Sequence, residues 1–563
     1  MWWTIIPRSA LSFALGNTSA AVAAVIVSQA LGFSHPYWAA MTVLLVAQPT
    51  RELTLQRALA RFLGTLVGAG VGWLLVIGQP LHPVFLGLEI AIWVGLCAGV
   101  ATWLRHVRAY SVLLAGYTAG IIALAAFSAP DQQASLALGR VGCTLVGVLA
   151  SGLVALVASR QDRGALGLEL RRLVVAVFQA AGDLRRSGAG LANPALGLID
   201  EIGRLDLRID TLSAGGSASR WRARRARRVL AKLVILIARC RSMGGAASAW
   251  AGGSALEHWA ARLEAGCSLA ALLAEKAEGD DAITMAGWSV LRSLHLDEQP
   301  RFRPTPRARL RLPAFDRACA AMAFARTCMA ALLAALAWLV IPREQGVPLM
   351  MSTLVFVTLF SSHRNPQQAV RQVLQGSMVG VVTGFICRAL LLPHADTALT
   401  AVLLAAPFLA VFTFAMARPR TAKAAIDANM SFLLTAQPGS LVVTHGGGGL
   451  LHAAAILAGV LLAAASFRWI LPTDPERSAA RLLARIEGEL AQLEAHPLDQ
   501  PGRREARIAC RLVELASIGS ARASVARSLD MLSRADRILR NRQSRSWPGS
   551  VAPTDLPSGP RSL

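Results

Sequence analysis

Charged residues are scarce in this chain: Asp, Glu, Lys and Arg make up 16% of its 563 residues, whereas hydrophobic residues make up 54%. A soluble protein of this length carries about 25% charged residues on average. The hydrophobic residues are also grouped into runs of about twenty, the length at which a helix crosses the hydrocarbon core of a bilayer. The composition excludes an ordinary soluble protein and predicts an all-α, polytopic membrane protein.

Sequence motifs of nucleotide, metal and acyl-transfer chemistry are missing. The sequence contains no Gly-x-x-x-x-Gly-Lys-Ser/Thr loop, no His-Glu-x-x-His and no Gly-x-Ser-x-Gly. Its eight cysteines include no Cys-x-x-Cys pair, which argues against a structural zinc site and against a disulfide framework. We therefore expect no enzyme activity, no cofactor and no metal.

Acidic residues are few, so the formal net charge is +24. A basic protein attracts nucleic acids, but the cytoplasmic loops of membrane proteins also accumulate Lys and Arg. The densest basic run is RWRARRARR at 220–228. We interpret this run as a solvated helix face, or one that lies on anionic lipid, rather than as an RNA site. Membrane lipid, and not nucleic acid, is the expected partner.

Twelve apolar segments of membrane-span character fall into two groups of six. They lie near 9–33, 36–50, 57–78, 82–104, 108–128 and 134–158, then 316–341, 346–362, 366–392, 397–417, 421–437 and 446–471. The first segment could also be a signal peptide, but its length and its place in a repeat favour a span. The second segment is short, and could be tilted or partly re-entrant.

This grouping predicts five parts. They are a six-span membrane repeat at 1–159, a cytoplasmic helical domain at 160–312, a second repeat at 313–472, a C-terminal cytoplasmic helical region at 473–545 and a disordered tail at 546–563. Arg and Lys fall in alternate loops between the spans, while the loops near Ser34, Gln79 and Asp131 have neither. In the second half, the corresponding side has only Arg343, beside Glu344. By the positive-inside rule, we expect both termini and both polar blocks to be cytoplasmic.

An internal repeat relates the two six-span groups. A shift of 312 residues brings Pro36 onto Pro348, Gln56 onto Gln368 and Arg108 onto Arg420. The same shift relates two glycine series: Gly64, Gly68 and Gly72, and Gly376, Gly380 and Gly384. Spacing of four places each series on one helix face, so we interpret these glycines as helix-packing positions, with a substrate role as the alternative. Two parallel repeats predict halves related by an axis along the membrane normal.

Ionisable residues inside apolar spans are costly and are therefore functional candidates. Glu89 and Asp427 are the acids of this kind, and a buried carboxylate can take up and release a proton near neutrality. We interpret both as proton-coupling candidates; the alternatives are a structural ion pair or an acid wetted at an interface. The basic counterparts are Arg140, Arg326, Arg388 and His452. The 312-residue shift brings Ala401 and Ala115 onto the two acids, so any coupling site is asymmetric.

Several short motifs in the first half carry a family resemblance. They read HPYWAAMT at 35–42, QPTR at 48–51, RFLGT at 61–65, RAYS at 108–111 and LAGYT at 114–118. These motifs resemble those of the fusaric acid resistance family, which includes the aromatic acid exporters. The architecture of membrane half, helical block and membrane half is also similar. The second half departs from the motifs, since it reads VPLM at 347–350 where the first half has aromatic residues.

The resemblance implies export of small, often aromatic or weakly acidic compounds across the bacterial inner membrane. It implies that the proton gradient drives this export. It also implies a periplasmic adaptor and an outer-membrane channel as partners. The residues add a substrate path: Tyr37, Trp38, Arg51, Arg61, Arg108, Tyr110 and Tyr117. Arginines at cytoplasmic span ends could gather organic anions, and the aromatic rings could stack on a substrate. The alternatives are membrane topology for the arginines and an interfacial aromatic belt for Tyr37 and Trp38.

Two rival functions remain open at this stage. One is a passive organic-anion channel of similar architecture, in which the two buried acids have no role. The other is a membrane scaffold whose cytoplasmic helices bind a partner or lipid head groups. The two cytoplasmic blocks could also pack together and mediate a homo-oligomer.

Overall fold

The computed structural model of the chain describes most residues between 8 and 543. The described ranges are 8–48, 50–77, 82–104, 107–128, 133–157, 165–187, 192–212, 217–242, 252–275, 281–298, 317–361, 366–418, 420–440, 447–471, 475–496, 501–518 and 522–543. Within them the chain is all-helical, with 21 α-helices and no strand. The predicted tail at 546–563 and the predicted boundaries near 160, 312 and 473 lie outside these ranges.

Six helices occupy the first predicted repeat: α1 Arg8–Ala30, α2 Tyr37–Val46, α3 Arg51–Leu74, α4 Pro83–Trp103, α5 Val107–Ser128 and α6 Gln133–Val157. The next six are α7 Ala165–Ser187, α8 Ala192–Leu212, α9 Ser217–Ser242, α10 Gly252–Glu264, α11 Leu269–Ala274 and α12 Ala282–Glu298. The second repeat contains α13 Arg317–Val340, α14 Arg343–Ser361, α15 Pro366–Ile386, α16 Ala398–Met416, α17 Ala422–Ala436 and α18 Gly447–Trp469. A π-helical turn, Cys387–Leu391, continues α15. The chain ends with α19 Pro475–Ala495, α20 Pro501–Ser517 and α21 Arg522–Gln543.

These helices form two units. The first is built from α1–α6 and α13–α18, and the second mainly from α7–α12 and α19–α21. Within the first unit the contacts repeat in pairs: α4 packs along α13 as α16 packs along α1, and α2 contacts α17 as α14 contacts α5. Helices related by the 312-residue shift thus exchange places across the unit, which is the arrangement expected of a tandem repeat.

Eight helical segments among the described residues are long and apolar enough to cross a membrane. They are α1, α4, α5, α6, α13, α16, α18 and the continuous segment Val370–His394. The other four helices at predicted span positions differ in character: α2 has only 10 residues, all of them buried, and α17 has 15. Because every residue of α2 is buried, this helix contacts protein rather than lipid and tolerates polar residues.

Large apolar side chains cover the outer surface of the first unit. On α3, for example, Leu63, Leu66 and Val67 are each about half exposed. Soluble monomers rarely expose contiguous apolar surface on this scale. Together with the eight span-length segments, this surface makes the chain a multi-pass membrane protein.

The second unit has one core that joins the middle block to the C-terminal helices. Arg239 on α9 pairs with the buried Asp536 on α21 over 2.9 Å and with Glu505 on α20 over 3.4 Å. The hydroxyl of Ser533 donates a hydrogen bond to the carbonyl of Ala238 over 3.1 Å. In the basic run on α9, Arg227 pairs with Asp206 on α8 over 2.8 Å. At least this arginine is therefore engaged inside the unit rather than on an external polyanion.

Candidate functional site

The glycine series brings α3 and α5 into direct backbone contact. A Cβ atom built on Gly68 would lie 2.7 Å from the carbonyl oxygen of Ala115, and one on Gly72 would lie 2.7 Å from that of Ala119. Gly64 lies equally close to the backbone of α5 at Ser111. In the second repeat, Gly376, Gly380 and Gly384 on α15 face the backbone of α17 in the same way. Because α3 and α5 touch, a polar side chain on α3 can reach the face of α5.

Arg61 makes this connection from the third turn of α3. Its Nη1 donates hydrogen bonds to the hydroxyls of Tyr110, over 2.9 Å, and Tyr117, over 3.3 Å. Its Nε donates to Oγ1 of Thr42 on α2 over 3.1 Å. We call Arg61, Thr42, Tyr110 and Tyr117 the arginine–tyrosine cluster. Arg61 is only 1% exposed, and it has no ion pair with an acid in the described part of the chain.

This position corrects the sequence interpretation of Arg61. The prediction started the third span at residue 57 and put Arg61 at its cytoplasmic end. The helix in fact starts at Arg51, so Arg61 lies well inside it. Three hydroxyl groups, one from α2 and two from α5, replace the water that a guanidinium at a span end would have.

A second guanidinium lies against the same helix α2. Arg140 on α6 is 2% exposed and lies over the ring of Trp38, with Cζ 4.6 Å from the ring centroid. Its buried Nε has no hydrogen-bond partner among the described residues. Trp38 and Thr42 are one helical turn apart and are joined by a bond from Thr42 Oγ1 to the Trp38 carbonyl, over 3.0 Å. The two arginines, from α3 and α6, therefore contact adjacent turns of α2.

The remaining sequence candidates divide into two groups. Tyr37 and Trp38 are buried, with their rings 6.0 Å apart in a T-shaped arrangement. Side chains of an interfacial belt would be exposed to the bilayer, so that alternative does not fit these two. Arg51 is half-buried at the start of α3 and Arg108 is exposed near the start of α5. Neither joins the arginine–tyrosine cluster.

The two acids differ in environment. Asp427 on α17 is 6% exposed and has no hydrogen bond or ion pair with any described residue, which leaves the ion-pair alternative without a partner. Ser431 and Thr435 follow it at four-residue spacing, and both are buried. The carbonyl of Thr435 accepts a hydrogen bond from Arg388 over 3.0 Å, which closes this polar stripe. Glu89 on α4 is only half-buried.

Sequence reasoning passed over two contributors to this site. Arg140 was expected only as a charged residue inside a span, and Thr42 only as the last residue of a motif. The signal for Arg140 was present, because an arginine in a 25-residue apolar helix needs a partner. The sequence carried no signal that this partner would be the ring of Trp38, about a hundred residues earlier.

The fold and the buried site define a class: a multi-pass helical membrane protein built from two repeats, with a cationic and aromatic interior. The chain belongs to the fusaric acid resistance protein family, whose model matches residues 10–286 and again 270–545. Two overlapping matches are what a tandem repeat produces. They establish the resemblance that the first-half motifs predicted.

Individual relatives match over shorter regions. An Escherichia coli K12 protein named "Uncharacterized transporter YdhK" is 32% identical over 173 residues, 30% of this chain and 26% of its own length. An Edwardsiella ictaluri protein named "p-hydroxybenzoic acid efflux pump subunit AaeB" is 30% identical over 171 residues, 28% of this chain and 26% of its own length. These matches span about a quarter of the length of the relatives. No solved structure matches the chain significantly. The family and these relatives are transporters, not enzymes.

Proposed function

We propose that the protein exports small aromatic or weakly acidic compounds across the bacterial inner membrane, driven by the proton gradient. The observation that carries this proposal is the arginine–tyrosine cluster, in which a buried guanidinium is held by phenol hydroxyls and has no acid beside it in the described part of the chain. A buried cation without a counter-ion favours an incoming anion, and the surrounding rings favour an aromatic one. The name of the Edwardsiella relative, which specifies an aromatic acid, supports the same substrate class.

Asp427 is the leading candidate for proton coupling. It is buried without a counter-ion among the residues that the structure describes, and Ser431 and Thr435 extend a polar stripe from it along α17. Residues at the equivalent positions of α5 are Ala115, Ala119 and Ala123, so the stripe is specific to the second repeat. Glu89 on α4, which is only half-buried, stays a second candidate.

The membrane orientation predicted from the sequence fits export from the cytoplasm. Both termini and the second unit would face the cytoplasm, so that a substrate collected there leaves on the periplasmic side. The word "subunit" in the Edwardsiella name supports a multi-component pump. A periplasmic adaptor and an outer-membrane channel are therefore the partners to seek, and a homo-oligomer is the assembly to test.

The decisive experiment measures efflux of radiolabelled 4-hydroxybenzoate and related acids from cells that express the full chain. We expect export against a concentration gradient, and its loss when a protonophore collapses the proton gradient. Downhill flux that persists with the protonophore would identify a passive anion channel instead. Flux no faster than in cells carrying an empty vector, with candidate adaptors co-expressed, would reject transport of this class.

A further inference from the structure

We infer that Arg140 and Arg61 together form a two-guanidinium site that selects a carboxylate attached directly to an aromatic ring. The inference rests on the proposed function and narrows it. It assigns Arg140 as a specificity-determining residue and the substrate carboxylate as the group that Arg140 binds. The juxtaposition that carries it is two buried arginines, on α6 and α3, set against adjacent turns of α2.

The two guanidiniums are neighbours without compensation. Arg61 donates to Thr42, and Arg140 lies over Trp38 one turn earlier on the same helix α2. Arg140 is 2% exposed and Arg61 is 1% exposed, and neither pairs with an acid among the described residues. Burying two like charges together is strongly unfavourable unless a group of opposite charge is brought to them. An anion that binds between them removes this penalty, which makes binding depend on ligand charge.

The unused donors point to a planar ligand group. Nε and Nη1 of Arg61 are engaged by Thr42 and the two tyrosines, whereas Nη2 makes no hydrogen bond within the described residues. Arg140 lies over the ring of Trp38, and its buried Nε has no hydrogen-bond partner among the described residues. Two planar forks with free N–H groups match the two oxygens of a carboxylate.

The walls of the site favour an aromatic substituent over a bare inorganic anion. Trp38, Tyr110 and Tyr117 supply ring surface around the guanidiniums. Aromatic rings pack against one another with specific geometry and add to burial, which chloride and phosphate cannot exploit. A carboxylate on a ring therefore satisfies both parts of the site, and a neutral amide of the same shape satisfies only the apolar part.

The test is equilibrium binding to the purified full-length protein in lipid nanodiscs, with 4-hydroxybenzoate and its neutral isostere 4-hydroxybenzamide as probes. Arg140→Gln should weaken binding of 4-hydroxybenzoate by about 10- to 100-fold and leave the weaker binding of the amide unchanged. Arg140→Lys keeps the charge but loses the fork, so its loss should be intermediate. Arg326→Gln is the matched control, because Arg326 is also buried and stacked on an aromatic ring, Phe467, outside this site.

Three outcomes would overturn the inference. They are unchanged binding by Arg140→Gln, an equal loss for acid and amide, or an equal loss in the Arg326 control. Chloride that displaces the acid at millimolar concentration without any preference for carboxylate would assign the site to inorganic anions. If Arg140→Gln does not purify as a folded protein, Arg140→Lys alone still tests the carboxylate preference. Charge-selective binding without export would reject the proposed function but keep the site. Export that is unchanged in Arg140→Gln would keep the proposed function but reject the site.

Discussion

Arg61 on α3 donates a hydrogen bond from Nη1 to the hydroxyl of Tyr110 on α5, over 2.9 Å, within the interior of the first unit. The partners are 49 residues apart in the chain. A lysine cannot reproduce this contact together with those to Tyr117 and Thr42, because an ammonium is a point charge without the planar fork. The relationship therefore makes the guanidinium, rather than the positive charge alone, the feature to test.

We expect Arg61→Lys to lower export of aromatic acids at least tenfold at unchanged expression. The physical reason is the loss of fixed donors, each worth about 1.5 to 3 kcal/mol when charged and buried. Initial efflux rates over a range of substrate concentrations measure the effect. Arg420→Lys is the control, because Arg420 is exposed. A wild-type rate in Arg61→Lys would show that the cluster is structural and does not lie on the path.

Asp427→Asn should abolish gradient-driven export while leaving the protein folded. The amide is nearly the same size as the carboxyl group, so packing in α17 is retained, but it cannot exchange a proton. Counterflow of labelled for unlabelled substrate, which needs no net proton movement, should survive. Asp396→Asn, in an exposed segment before α16, is the control. Glu89→Gln should reduce gradient-driven export less than Asp427→Asn does. A larger loss in Glu89→Gln would assign proton coupling to Glu89 instead.

Gly68→Ala should destabilise the first unit, whereas Gly70→Ala should not. A Cβ at Gly68 would meet the backbone of α5 at Ala115, but a Cβ at Gly70 has no atom within 4 Å. Overpacking of this kind typically costs about 1 to 3 kcal/mol, and an exposed Gly→Ala change in a helix gains up to about 1 kcal/mol. Melting of each variant in detergent, followed by fluorescence-detected size exclusion, compares them. Equal melting temperatures would contradict the close approach of α3 and α5.

The second unit should lose stability as pH rises, through Glu505. Burial raises the pKa of Glu505 above its usual 4.5, although the neighbouring Arg239 opposes the shift and Asp536 adds to it. The folded state then binds the proton more tightly than the unfolded state. The contribution of Glu505 to stability is thus complete below about pH 4.5 and is lost as pH rises through the folded-state pKa.

Denaturant unfolding of the full-length protein in detergent, followed by circular dichroism from pH 4 to 8, measures this effect. Glu505→Gln should flatten the decline relative to wild type. Glu494→Gln, which changes a partly exposed acid paired with Arg534 on the surface, should leave the slope unchanged. Parallel curves for wild type and Glu505→Gln would contradict the prediction.

Sequence reasoning located the helices well and their contacts poorly. The twelve apolar segments coincide with helices within a few residues at most ends, because a hydrophobic run and its polar flanks are local properties. The burial of Arg61 was missed because its hydroxyl partners are 19, 49 and 56 residues away. The constant offset of 312 residues indicated the repeat, but not which helices of the two halves would meet. The π-helical turn after α15 had no sequence signature at all.

The two membrane repeats share a fold but differ in their site residues, which determines how many substrate molecules each chain binds. The positions equivalent to Trp38, Arg61, Tyr117 and Arg140 hold Met350, Val373, Asn429 and His452, so the second repeat lacks the two guanidiniums. Conversely, the acid and polar stripe of α17 are replaced by alanines in α5. Although the scaffold is twofold, each polypeptide should saturate with a single equivalent of aromatic acid. Under the proposed function, the anion site therefore belongs to the first repeat and the proton-coupling acid to the second.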